Sequence, residues 1–169
     1  SFKVDLLLTG HDHAYLRTRL MRGHRGTSNT FSPSAHTPEW RSNAPSSGRL
    51  DGSPNSCFYY KHRGSVRNEG LVYVVNGAGG RAEYVASKNK PLLQALAPST
   101  TTTGGSVYLE ITGKRLDFKF IGTNHQVLDQ FTMFKDVEGF PVPTTDGTVR
   151  TAACECTEAL ARGPFTHYT

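Results

Sequence analysis

The apolar residues of this chain fall into short runs that predict β-strands rather than long helices. Val4-Asp5-Leu6-Leu7-Leu8 is almost wholly apolar, which is typical of a strand buried on both faces. Leu71-Val72-Tyr73-Val74-Val75 has the same character, and further along the chain apolar and polar residues alternate with the two-residue period of a half-buried strand. Five strands are predicted, over residues 3–8, 71–76, 106–112, 115–121 and 127–134.

The connections between the last three strands are short and polar. Thr112-Gly113-Lys114 and Gly122-Thr123-Asn124 have the composition of hairpin turns, so we expect these strands to form a three-stranded antiparallel meander. Before the meander, Pro91 to Ala97 predicts a short helix with proline in its first turn, and Thr100 to Thr103 predicts a linker.

Two stretches are too polar to form much core. Residues 21–69 are rich in Ser, Pro, Gly, Asn and Arg, and we interpret them as a surface insertion with little regular structure between Met21 and Asn55. Order is expected to return at Cys57-Phe58-Tyr59-Tyr60. Residues 136–169 lack periodicity and predict an irregular tail, so the folded unit is expected to be residues 1–135.

Length and charge exclude some classes of protein. The chain has 169 residues, enough for one domain or part of one, and contains no apolar run of about 18 residues that would predict a membrane helix. Its net charge is +5, with basic groups at Arg17, Arg19, Arg22 and Arg25 and at Lys61, Arg63 and Arg67. These groups follow no nucleic-acid-binding motif. Cys57, Cys154 and Cys156 are too few to predict a disulfide framework.

The candidate chemistry begins with Gly10-His11-Asp12-His13, directly after the first predicted strand. Loops at strand carboxyl ends are where open α/β sheets place ligand sites, and two imidazoles two residues apart can both reach a metal site if the turn twists. A His-x-His pair alone has low specificity. Asp12 between them is expected to point away, and the remaining histidines are expected on the surface, namely His24, His36, His62, His125 and His167.

The context of the pair is more specific. The segment from Val4 to Thr18 resembles the last metal-binding motif of purple acid phosphatases and related calcineurin-like metallophosphoesterases, an apolar strand followed by Gly-His-x-His, Ala-Tyr and Arg-Thr. Later features occur in the same order as in that family: a strand ending in the Gly-rich turn Gly77-Ala78-Gly79-Gly80, and a terminal meander with the pattern Val127-Leu128-Asp129-Gln130-Phe131. The resemblance covers residues 3–20, 70–82 and 105–135.

The resemblance implies an α/β fold, of which this chain is the C-terminal β-rich half of a four-layer α/β-β/α sandwich. It also implies a phosphoric ester hydrolase of the acid phosphatase type, in which two metals about 3.5 Å apart, iron with zinc, manganese or iron, act on a phosphate ester. By position, His11 matches the ligand of the exchangeable divalent metal and His13 that of the ferric ion. Arg17 is a tentative substrate-binding residue, with phosphate or a carboxylate as its partner. A secreted or lysosome- or vacuole-like location is also implied.

Departures from the family pattern limit this interpretation. Leu16 stands where the family often has Glu, and the chain contains no Gly-Asp-x-Gly, Gly-Asp-x-x-Tyr or Gly-Asn-His motif. The sequence opens on a strand without Met or a signal pattern, so we expect a fragment that lacks the N-terminal metal ligands and is inactive alone. Its expected partner is the missing N-terminal part of the same domain.

One alternative remains open. A non-catalytic β-rich binding module could use the basic insertion to hold an anionic partner other than nucleic acid or a membrane. The Gly77 to Gly80 turn likewise has two interpretations, a phosphate cradle or a structural turn beside the site. A metallo-β-lactamase motif is excluded, because Ala14, Tyr15 and Leu16 follow His13.

Overall fold

The protein is built on two β-sheets that pack face to face. The computed structural model describes residues 4–37, 47–49, 58–61, 70–83 and 103–135. The strands of these residues are β1 Leu6–Thr9, β2 Tyr15–Arg17, β3 Tyr59–Lys61, β4 Val72–Asn76, β5 Gly105–Thr112, β6 Arg115–Gly122 and β7 Val127–Lys135. The first sheet has the order β1-β4-β2 and the second the order β3-β7-β6-β5. Each sheet contains both parallel and antiparallel pairs.

The five predicted strands correspond to β1, β4, β5, β6 and β7, and the β-rich character of the fold is confirmed. The meander is confirmed as well, because β5, β6 and β7 pair in sequence and antiparallel. The sequence did not predict β2 and β3. Each has three residues, too few to establish a period of two.

The carboxyl ends of β1 and β4 and the amino end of β2 lie on the same side of the first sheet. β1 runs parallel to β4 with Thr9 beside Val75, whereas β2 runs antiparallel along the opposite side of β4 with Tyr15 beside Asn76. The chain therefore crosses over the carboxyl end of β4 between β1 and β2. That crossing is made by residues 10–14.

The expectation that the first strand is buried on both faces is wrong. Leu7 and Leu8 of β1 are 40% and 48% exposed, and only Leu6 packs against the core. The reason is positional, because β1 is an edge strand that pairs with β4 alone among the described strands. A parallel pair is usually covered on both faces, and here one face of β1 and β4 is open.

The core lies between the sheets and is largely aromatic. Tyr15 of β2 stacks on Phe120 of β6 with ring centroids 4.0 Å apart, and Phe118 stacks on Phe131 at 4.7 Å. Stacked rings contribute attraction beyond the apolar area that they bury. The cluster is completed by Leu20, Tyr59, Val72, Val74 and Met133.

A carboxylate occupies one position in this core. Asp129 of β7 is 2% exposed and bonds Arg17 through both carboxylate oxygens, with Arg17 Nε donating at 2.6 Å and Nη2 at 3.0 Å. The Tyr15 hydroxyl donates to the same carboxylate at 2.6 Å. Arg17 also donates to the Tyr59 hydroxyl at 3.0 Å and lies over the Phe131 ring. Buried charges are stable only when they are paired and hydrogen-bonded in this way.

Burial and the contacts with Asp129 shift the pKa values of Tyr15 and Arg17. Burial raises the pKa of the Tyr15 hydroxyl far above its ordinary value, and the charge of Asp129 raises it further. Burial opposes the charged form of Arg17, but interactions with Tyr59 and Asp129 outweigh this effect and raise the pKa of the guanidinium. Tyr15 is therefore neutral and Arg17 charged throughout the physiological range.

Parts of the 21–69 segment belong to the core rather than to the surface. Phe58, Tyr59 and Tyr60 are buried, and β3 pairs in parallel with the end of β7. In its described residues between Met21 and Asn55, the segment has a 3₁₀ turn Ser28–Thr30, one helical turn α1 Pro33–His36 and an isolated bridge from Met21 to Leu71. Over those residues, little regular structure is what the composition predicted.

Several sequence predictions fall outside the described residues. These are the Pro91 to Ala97 helix, most of the Thr100 to Thr103 linker, the 136–169 tail, the three cysteines, His62, His167, Arg63 and Arg67. Among the helices that the structure does describe, none is long and apolar enough to cross a lipid bilayer.

The buried ion pair generates a stability prediction. Asp129→Asn keeps the volume of the side chain but leaves the Arg17 guanidinium charged and without its anion in the core, so we expect a loss of about 3–5 kcal/mol in the free energy of unfolding. Urea denaturation followed by tryptophan or tyrosine fluorescence measures it.

Asp117→Asn is the matched control on β6, because Asp117 is 25% exposed, pairs with partly exposed Arg115 and accepts a hydrogen bond from the Thr132 hydroxyl that an amide oxygen can also accept. Its cost should stay below about 1 kcal/mol. Equal costs for the two variants would show that the Asp129 group adds no more stability than a surface pair.

Candidate functional site

The two candidate histidines lie on one turn at the carboxyl edge of the first sheet. Residues 10–14 form this histidine turn, which leaves β1 after Thr9 and enters β2 at Tyr15. His11 has a backbone φ of 80°, and Ala14 N–H donates to the Asp12 carbonyl at 2.7 Å to tighten the bend. Positive φ is uncommon outside glycine, and such strained residues cluster at functional sites. The predicted location of the pair at the end of the first strand is confirmed.

The histidine turn rests directly on the Gly-rich turn that follows β4. The Gly77 N–H donates to the Ala14 carbonyl at 3.2 Å. A Cβ atom at Gly77 would lie 2.8 Å from the carbonyl carbon of Asp12 and closer still to its oxygen. Glycine is required here because backbone packs on backbone. This contact supports the structural interpretation of Gly77 and leaves the phosphate-cradle interpretation without a specific contact.

After the Gly77 to Gly80 turn, Glu83 contacts His13. Glu83 N–H donates to the His13 carbonyl at 2.6 Å, and the Glu83 carboxylate lies 3.4 Å from His13 Nδ1. Arg81 Nε is 2.9 Å from the same carboxylate oxygen. The His13 and Glu83 side chains are about half exposed, at 46% and 49%. The site is thus an open surface with one imidazole beside a carboxylate.

The structure gives Arg17 a different role from the tentative one. The sequence left phosphate and carboxylate open as partners, and the partner observed is the carboxylate of Asp129. The Arg17 side chain is 0% exposed. Substrate binding by Arg17 therefore has no support in this geometry, because a phosphate in solution does not reach a guanidinium enclosed between the sheets.

The described donors fit one part of a metal centre. His11, Asp12 and His13 are all exposed on the histidine turn, and imidazole nitrogen suits zinc, iron and similar ions. Within the described ranges, however, no three His, Cys, Asp or Glu side chains are grouped so that they could hold a metal ion. The metal role of His11 and His13 stays a prediction, as does the common direction of their imidazoles.

The other described histidines lie elsewhere in the chain. His24 and His36 pack around Phe31 in the polar segment, with their ring centroids 5.0 Å apart, and His125 lies in the β6–β7 connection. Nothing in these contacts joins them to the histidine turn.

Sequence reasoning missed Glu83, Asp129 and Arg49. Asp129 had a usable signal, since it shares the two-residue period of Phe131 and Met133 and therefore falls on a core-facing position of β7. Arg49, from the polar segment, donates to Asp129 at 3.3 Å, and no local pattern indicates this. Glu83 lies 70 positions from His13, so only the folded chain reveals their contact.

Comparison with known proteins does not identify this chain. Its sequence matches no protein-family model and no curated protein.

The contact at Gly77 generates a prediction about the histidine turn. In Gly77→Ala the new methyl group collides with the backbone of Asp12, so the turn must shift, and we expect a loss of about 1–3 kcal/mol in unfolding free energy. Backbone amide shifts in a ¹H–¹⁵N spectrum should move across residues 10–14.

Gly79→Ala is the matched control from the same turn, because a Cβ there meets no atom within 4 Å. We expect it to change stability by less than about 0.5 kcal/mol and to leave the shifts of the histidine turn unchanged. Unmoved shifts in Gly77→Ala would contradict the proposed backbone contact.

Proposed function

We propose that this chain is part of a metal-dependent phosphoric ester hydrolase of the acid phosphatase type, to which it contributes the histidine turn. The observation that carries the proposal is the position of this turn across the carboxyl end of β4, where it packs on Gly77. Ligand sites of sheets with parallel strands form at this edge. The resemblance of residues 4–18 to the Gly-His-x-His motif supports the same chemistry.

The proposed roles are those that the resemblance implies. His11 binds an exchangeable divalent metal and His13 an iron ion, and both residues are exposed, so their imidazoles are accessible to metal ions. When bound, a pair of such metals polarises a phosphate ester and supplies a hydroxide nucleophile. The residues of this chain hold the two nitrogen donors in place, through the strained backbone of His11 and the contact with Gly77.

The donors grouped among the described residues are too few for a two-metal centre. A two-metal centre takes about three protein ligands per metal, and the histidine turn supplies two imidazoles. We propose that an N-terminal part of the same domain provides the carboxylate and amide ligands. The open face of the first sheet supports this, because Leu7 and Tyr73 lie side by side on β1 and β4 with 40% and 38% exposure. A covering layer there would supply one of the two outer layers of a four-layer sandwich.

The non-catalytic alternative has less support. It requires basic residues of the 21–69 insertion that are available to an anionic partner. One of them, Arg49, donates instead to the buried carboxylate of Asp129. This reduces the anion-binding surface that the composition suggested.

The complete protein provides the direct test of function. We expect His13→Ala to lower hydrolysis of a chromogenic phosphate ester by at least about 100-fold, since loss of an outer-shell partner alone costs 10–100-fold. Circular dichroism should show an unchanged fold. His125→Ala, which removes an exposed histidine from a hairpin, is the control and should keep full activity. Activity retained in His13→Ala would refute the metal role.

The chain alone should be inactive. Two neutral imidazoles offer neither enough ligands nor the negative charge that holds two cations close together. Purified protein of these 169 residues should hydrolyse no chromogenic phosphate ester and retain no stoichiometric metal by elemental analysis after dialysis. Two tightly bound metals per chain, with turnover, would show that the ligand set is complete within it.

A further inference from the structure

Glu83 is tied to His13 through both backbone and side chain. Its N–H donates to the His13 carbonyl at 2.6 Å, and its carboxylate lies 3.4 Å from His13 Nδ1. The backbone bond fixes the distance between the two residues, whereas the longer side-chain contact determines which ring nitrogen of the imidazole meets the carboxylate. Both contacts arise because the Gly77 to Gly80 turn reverses the chain beside the histidine turn.

We propose that Glu83 is the positioning residue of His13: its carboxylate accepts a hydrogen bond from Nδ1–H and thereby leaves Nε2 as the nitrogen that donates its electron pair to a ligand. A neutral imidazole carries one proton, and the nitrogen that holds it is decided by the hydrogen bond that it makes. Carboxylates paired with metal-binding histidines act in this way and also increase the basicity of the donating nitrogen. The assignment rests on the proposed function, in which His13 binds metal.

Arg81 completes the arrangement. Its Nε lies 2.9 Å from the Glu83 oxygen that faces His13, so the carboxylate is held from one side by a guanidinium and from the other by the imidazole. A half-exposed glutamate would otherwise sample many rotamers, and the arginine reduces that freedom. Glu83 thus contacts both Arg81 and His13 through one carboxylate oxygen, on the exposed side of the histidine turn.

The test reads the tautomer of His13 in this chain, without any metal. Long-range ¹H–¹⁵N spectra at about pH 8, where an ordinary imidazole is neutral, distinguish a proton on Nδ1 from one on Nε2. A neutral histidine side chain that is free in water prefers the proton on Nε2. We expect His13 to carry it on Nδ1, with exposed His125 as the internal reference for the ordinary state. A proton mainly on Nε2 of His13 would overturn the proposal.

Variants assign the effect to the carboxylate. Glu83→Ala should return His13 to the ordinary tautomer, whereas Glu83→Gln, whose amide oxygen still accepts a hydrogen bond, should preserve the Nδ1 proton in part. Glu110→Ala removes an exposed glutamate from β5 and is the matched control, which should leave His13 unchanged. An unchanged tautomer in Glu83→Ala would also overturn the proposal.

The same variants in the complete protein separate this proposal from the function on which it rests. Metal affinity there should fall about 10–100-fold in Glu83→Ala and less in Glu83→Gln. If His13→Ala abolishes activity but the tautomer does not depend on Glu83, the function stands and the positioning role falls. If the tautomer depends on Glu83 but His13→Ala remains active, the contact is real and the metal role falls.

Discussion

The carboxylate of Asp129 is the constraint on which the rest of the structure depends. It lies in the interface between the sheets, accepts bonds from Tyr15 and Arg17 on β2, and is reached by Arg49 from the polar segment. Because the carboxylate is only 2% exposed and a buried charge is costly without its hydrogen bonds, its partners fix the position of β2 relative to β7. These bonds hold β2, a strand of only three residues, against the long strands of the meander.

The hydrogen bonds to Asp129 also restrain the backbone of the candidate site. Tyr15 begins β2 and is only two residues beyond His13, so an anchored Tyr15 leaves the histidine turn little freedom at its C-terminal end. At its N-terminal end the turn is held by the parallel pairing of β1 with β4, and in the middle it rests on Gly77. The exposed imidazoles thus stand on a backbone that is restrained at three points, which is the requirement for a preorganised site.

Sequence periodicity was enough to predict the long strands and the location of the histidine turn, because both depend on neighbouring residues. It failed where the structure depends on partners far apart in the chain. Arg17 and Asp129 are separated by 112 positions, and an arginine that follows the histidines does not indicate whether its partner is a phosphate or a carboxylate. β3 was missed for the same reason, since three buried residues become a strand only when β7 lies beside them.

The first sheet has two unsatisfied features in the described structure, and they differ in chemical kind. One is apolar, since Leu7 and Tyr73 leave a parallel pair of strands open on one face. The other is polar, since the histidine turn at the end of the same strands presents two imidazoles, and the described residues group no third donor with them. A layer of secondary structure packed on that face would bury the apolar residues, and its loops at the same edge would reach the imidazoles. A single layer would thus satisfy both features, because the exposed apolar residues and the histidine turn lie on the same two adjacent strands.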